Sequence, residues 1–302
     1  MSYLPLKIIN PISAYVAISA ITSTNVLETV DSYDATAEYA LGDMVLYRDV
    51  IYECIADSSK NSPSTDDWVK RRAAMYHRPF DGYIGGRSYA EKHTEYVFEG
   101  LPYVDSVAIF NITGTSVEID VSSGGVSVYN EVVPIIDISE IDTFYKWYNY
   151  QPEILNRNMV RNDLPDVTDA VITITVHGHG TQVGEIIFGN TNSFGNVLLS
   201  RDTVRGVRSY AAIIQDEFGI EQIIDRDEYA EISYNVAISP EECQAFIEFI
   251  ESRFGKFTVY YVDSSAQASS YMMIYGILIP PIEIPQDNMY VLETTLDVVG
   301  LT

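Results

Sequence analysis

The sequence predicts a mainly β fold with an α+β C-terminal domain, and three observations predict it. Tyrosine occurs 23 times in 302 residues, and with Val, Ile and Thr it falls in short alternating runs of the kind that suit a half-buried pleated surface. Gly, Asn and Asp punctuate those runs at intervals of roughly 8–12 residues, the spacing of sandwiches and jelly rolls. One segment alone, after Ser239, carries a complete helix signal.

Taken in order, residues 1–29 read as an N-terminal arm, because Pro5, Lys7, Asn10 and Pro11 interrupt any apolar block and leave no secretory leader. Residues 30–75 read as a small aromatic module. Its hairpin runs from Tyr39 through Gly42, Asp43, Val45, Tyr47, Tyr52 and Glu53 to Cys54, and is followed by Pro63 and Trp68. Residues 80–190 read as a β-sandwich or jelly roll with strands over 103–112, 116–121, 125–132, 170–177 and 183–189. The last two are expected to form a hairpin through the turn residues 177–182. Within this span, 144–150 is an aromatic cluster around Trp147.

Residues 191–302 read as a sheet-plus-helix domain. Ser239 is placed to cap a helix, Pro240 to occupy its first position, and Glu242 to complete a capping box. Cys243, Phe246, Ile247, Ile250 and Phe254 then recur at helical spacing, and Gly255 closes the helix. Strands are expected at 228–238, 256–262, 271–279 and 290–299.

The length predicts two or three domains. Lys and Arg number 18 against 43 Asp and Glu, a net charge of −25 spread along the chain. Such a chain repels polyphosphate, which argues against high-affinity nucleic-acid binding and suits either solubility or a passage that DNA traverses without sticking. Cys54 and Cys243 are far apart and offer neither a disulfide framework nor metal-ligand spacing, so both read as small buried hydrophobes. No window approaches the roughly 18 apolar residues of a membrane span.

Chemistry is sparse. His177 and His179 would share a face on an extended strand, but no third ligand accompanies them, and a turn that contains histidines is the preferred reading. No nucleophile elbow, phosphate-binding loop or zinc-protease motif occurs, and no carboxylate pair is distinguished from the many present. Gly82, Gly85 and Gly86 read as a loop, and 264–270 as a polar hairpin tip. No catalytic residue, metal or cofactor is expected.

The hairpin of Tyr39, Gly42, Asp43, Val45, Tyr47, Tyr52, Glu53 and Cys54, closed by Pro63 and Trp68, resembles the small carbohydrate-binding modules of chitinases and many phage tail proteins. The resemblance implies a module core of Tyr39, Tyr52 and Trp68, and glycan-stacking faces on Tyr47 and Trp68. Across nearly the whole chain, the order of this module, a sandwich entered at Phe80, Asp81 and Gly82, a turn at 216–219 and the ending 292–302 is similar to a family of tailed-bacteriophage virion proteins.

That second resemblance implies a structural tail component in the virion, such as a distal-tail, tail-tip or collar ring. Its partners would be copies of itself, other tail proteins and, through the module, a host-surface glycan, with DNA passing unbound and no membrane insertion. The expected assembly surface is the helix with Ser239, Glu242, Phe246, Phe249 and Ile250. A monomeric lectin-like protein and a cell-wall polysaccharide hydrolase, with carboxylates beside Trp147, are the alternatives.

Overall fold

The computed structural model describes residues 3–136, 141, 143–149, 157–199, 203–209, 212–215, 221–224, 228–262, 271–282 and 291–301. In chain order it contains β1 (Tyr3–Pro11), α1 (Ala14–Ser19), β2 (Ile21–Thr24), β3 (Tyr39–Ala40), β4 (Met44–Tyr47), β5 (Val50–Cys54), β6 (Ser58–Ser59), β7 (Trp68–Ala73), a 3-10 turn (Arg78–Phe80), β8 (Ser88–Ala90), β9 (Thr94–Glu99), β10 (Ser106–Phe110), β11 (Ser116–Ser123) and β12 (Val126–Pro134). There follow α2 (Phe144–Asn149), β13 (Met159–Arg161), β14 (Ala170–His177), β15 (Thr181–Val183), β16 (Glu185–Leu198), β17 (Val204–Ser209), β18 (Ala212–Gln215), β19 (Glu221–Ile224), β20 (Glu228–Ile238), α3 (Pro240–Arg253), β21 (Thr258–Val262), β22 (Ile274–Ile279) and β23 (Leu292–Gly300). The fold is mainly β. The turn expected at 216–219, the tip at 264–270, the Trp147 side chain and Thr302 lie outside the described residues.

Six strands close a barrel in the order β16-β1-β21-β22-β23-β20, and β20 returns to β16 through Asn196↔Ala237 and Val197↔Val236. Every pairing around the ring is antiparallel. Closure removes the open edges that a flat sheet would leave. It depends on a bulge in β16: Pro5 faces Asn196 and Leu6 faces Phe194, so Gly195 has no partner on β1 and adopts φ +47°. Glycine takes this left-handed conformation without steric cost, and the bulge bends the strand toward β20.

Leu6, Ile8, Val197, Tyr234, Val236, Tyr260, Val262, Leu278, Leu296 and Val298 fill the barrel. Tyr234 donates its hydroxyl proton to the carbonyl oxygen of Met272 at 2.8 Å, so the polar end of this fully buried ring is satisfied. Helix α3 connects β20 to β21 by passing over β16 and β1. Phe246 meets Phe194 edge to face at 5.5 Å, and Arg253 donates to Asn10 Oδ1. Phe246 and Ile250 belong to the barrel core.

The sandwich stacks the sheet β12-β11-β14-β9-β2 on β10, β13 and the first half of β16. Its inner face alternates as the sequence does, with Val117, Ile119 and Val121 from β11 and Ile172, Ile174 and Val176 from β14 meeting Val107, Ile109, Ile186 and Phe188. The reverse side of β10 and β16 packs Ala108, Phe110 and Ile187 against Ile9, Val259, Tyr261 and Tyr275. Strands covered on both faces lose their alternation, which is why Ser106–Phe110 is buried throughout.

The structure differs from the expected partition in three respects. Residues 1–29 are not a free arm: β1 lies between β16 and β21, and β2 pairs with β9. The 190/191 boundary falls inside β16, which both the sandwich and the barrel share. The hairpin expected between 170–177 and 183–189 does not form, because β14 pairs with β11 and β9 while β15 pairs with β8 and β16 joins the barrel sheet. Gly184 separates β15 from β16, and a Cβ there would meet Ile84 O at 2.7 Å.

Candidate functional site

The N-terminal module is built on the three-stranded sheet β4-β5-β7 with the short pair β3-β6 beside it. Arg48 and Asp49 link β4 to β5 in a two-residue turn with φ +50° and +63°, the conformation whose twist matches a hairpin. Asp49 also accepts a 2.6 Å hydrogen bond from Tyr76, which ties the turn to the segment leading into the sandwich. Burial and the adjacent Asp49 carboxylate push the Tyr76 hydroxyl well above its ordinary pKa.

The module core is Val45, Cys54 and Trp68, with Tyr33, Tyr39 and Tyr52 packed against it. Trp68 is only 6% exposed and donates Nε1–H to Asn61 O at 3.0 Å. Asn61 and Ser59 both donate to Asp67 Oδ2, at 2.7 and 2.8 Å, and these bonds hold that carboxyl below its usual range. Tyr39 and Tyr33 approach the indole edge to face at 5.3 and 6.2 Å.

Trp68, Tyr39 and Tyr52 therefore come together as core residues. The expectation that Trp68 also offers a stacking face is corrected: the indole closes a domain too small to exclude water without it. The half-exposed aromatic surface consists of tyrosines. Tyr33 stacks on Tyr39 at 5.6 Å and meets Tyr47 edge to face at 5.7 Å, and Tyr47 in turn meets Tyr52 at 6.3 Å. Arg48 lies 5.1 Å from the Tyr47 centroid. These partly buried rings and their hydroxyls carry the chemistry that suits the apolar face and hydroxyl rim of a pyranose. Tyr33 is the member that sequence reasoning missed, since it precedes the hairpin motif by six residues.

The expected assembly residues divide. Phe246 and Ile250 face inward, and Phe249 lies against Phe194 at 5.0 Å, so these apolar positions are engaged within the barrel. Ser239 stands at the N-cap in extended conformation, but its side chain makes no capping hydrogen bond and the predicted capping box is not formed. Glu242 is exposed, and its N–H donates to Ser239 O at 3.1 Å. Gly255, at φ +70°, terminates the helix as expected.

His177 does not pair with His179. Its Nε2 lies 2.8 Å from Glu118 Oε2, and hydrogen bonds from Asn130 and then His177 hold that carboxyl below its usual range. No group of three or more His, Cys, Asp or Glu among the described residues is positioned to hold a metal. In α2, Phe144 and Tyr148 stack at 6.5 Å and are 77% and 75% exposed. No family model, curated protein or solved structure matches this chain.

Proposed function

We propose that this protein is a structural, ring-forming component of a bacteriophage tail, at a distal-tail, tail-tip or collar position, whose N-terminal module contacts a surface glycan through Tyr33, Tyr39, Tyr47 and Tyr52. The motif resemblance set out above supplies the tail context. The observation that carries the assembly reading is strand pairing outside the closed ring of the barrel. Strand β17 pairs with β20 from Val204↔Ser233 to Ser209↔Glu228, and in the sequence between them β18 pairs with β19 from Ala212↔Ile224 to Gln215↔Glu221.

The β18–β19 pair joins no third strand among the described residues. A barrel without edges cannot recruit neighbours by strand pairing, whereas such a ribbon can. The net charge of −25 suits the wall of a DNA passage. No residue is assigned a catalytic role, and the site of action on this reading is the virion.

Negative-stain electron microscopy with light scattering tests the proposal on the full chain and on a variant that joins Ser209 to Glu228 through an Asn-Gly turn. Closed rings from the full chain and monomers from the shortened one are expected. Rings that survive the shortening overturn the ribbon's role. A full-length monomer that binds glycans replaces the tail reading with the lectin-like one.

A further inference from the structure

We infer that the seam between the module and the sandwich is an oxyanion-binding site, taking the phosphoryl or carboxylate group of an acidic ligand. A cavity of ≈ 560 Å³ opens there, and Lys70, Arg71, Arg72, Arg78 and Arg87 all line it, with Asp81 as the acidic residue on its wall. These are five of the 18 cationic side chains in a chain of net charge −25. Concentration of so much positive charge in one recess of an acidic protein is unfavourable unless something offsets it.

Arg78 shows what would offset it. The residue is only 9% exposed. Its Nη1 donates to Arg87 O at 3.0 Å, while Nε and Nη2 are buried with no hydrogen-bond partner among the described residues. Those two nitrogens form one side of the guanidinium, the side that binds two oxygens of a carboxylate or phosphoryl group in parallel. A buried donor left unmade costs more than a made bond contributes, so an acceptor that reached this edge of the guanidinium would be held strongly. Burial first and the nearby Arg72 second disfavour the charge on Arg78, against Glu28 and Asp81, which favour it less strongly.

Two of the other cations have protein partners. Arg71 reaches Glu53 at 2.6 Å, and Arg87 donates to Gln182 Oε1 at 2.8 Å. Lys70 and Arg72 are exposed, on the strand β7 that supplies the module side of the cavity. The opposite wall is the glycine loop. A Cβ on Gly85 or Gly86 would fall 2.8 or 2.9 Å from the Tyr83 ring, so both glycines leave room for that ring to lie against the loop. The recess brings together a buried guanidinium, the exposed charges of Lys70 and Arg72 and the Tyr83 ring.

The proposal stands apart from the ring reading and is tested on the full chain by calorimetry and thermal shift. The probes are inorganic phosphate and sodium glucuronate, with chloride at matched ionic strength. Saturable binding of phosphate or glucuronate is expected, and whichever titrates identifies the phosphoryl or the carboxylate source. Affinity should fall at least tenfold in the exposed pair Lys70→Gln/Arg72→Gln, and also in Arg78→Lys, which keeps charge but loses the paired donors. Responses that track ionic strength alike for all three salts, or an isotherm unchanged in Lys70→Gln/Arg72→Gln, overturn it.

Discussion

Gly195 and Ala237 meet where the barrel closes: a methyl group on Gly195 would collide with the carbonyl oxygen of Ala237, and Gly195 itself has φ +47°. Conformation and close approach both demand glycine here. Gly195→Ala is expected to cost at least about 2 kcal/mol, from left-handed strain and from separation of β16 and β20. Gly206→Ala, on β17 with only Glu231 O at 4.0 Å from the added carbon, should be neutral or slightly stabilising. Urea midpoints of the two variants check this, and equal shifts would refute the closure argument.

Phe246 is a barrel residue and not a docking residue. Its truncation to Ala should cost about 3–5 kcal/mol, in the range of large core deletions. Glu242→Ala, on the exposed side of α3, should stay within about 0.5 kcal/mol. Denaturation of both variants at low protein concentration separates folding from assembly, and a Phe246→Ala protein as stable as the parent would place the ring outside the core.

Glu185 opens β16 and is 3% exposed, and one of its oxygens, Oε2, has no partner among the described residues. Burial and the neighbouring Asp81 push its pKa to about 9 from an ordinary 4.5, against a weaker opposing hydrogen bond from Gly82 N–H. The folded state thus holds a proton that the unfolded chain releases. That contribution to stability is complete below pH 4.5 and is lost as pH rises toward 9. Glu185→Gln has no such proton to lose, so relative to the parent it should gain roughly 1.4 kcal/mol per pH unit across that window. Melting curves of the pair at pH 5 and pH 8 measure this, and a constant gap would show that Glu185 is ionised in the fold.

The periodic segments were legible and the non-local pairings were not. Strands at 170–177 and 228–238, and the helix with Cys243, Phe246 and Ile250, follow from local alternation or helical spacing, and they occupy the expected residues. Strand β1 was hidden because Pro5 and Pro11 break its run and Lys7 and Asn10 interrupt its apolar face. Barrel closure turns on one glycine in a fourteen-residue strand, and no local pattern distinguishes a bulge that bends a strand into a ring from an ordinary weak point. In the module, sequence marks Trp68 as important but carries no information on which side of so small a core the indole lies. Tyr33 acquires its role only by stacking on Tyr39.

Trp68 and Tyr47 should therefore separate folding from recognition. Trp68→Ala removes the central ring of the module core together with its bond to Asn61, and a loss of about 3–5 kcal/mol exceeds what a domain of this size holds in reserve. The near-ultraviolet circular dichroism of the module and any glycan affinity should disappear together. Tyr47 is half-exposed and contacts Tyr33 and Tyr52 only edge to face, so Tyr47→Ala should leave the fold within about 1 kcal/mol. Its glycan affinity should fall about tenfold, equivalent to about 1.4 kcal/mol. A folded Tyr47→Ala protein that binds a glycan array like the parent would remove the tyrosine strip from the binding surface.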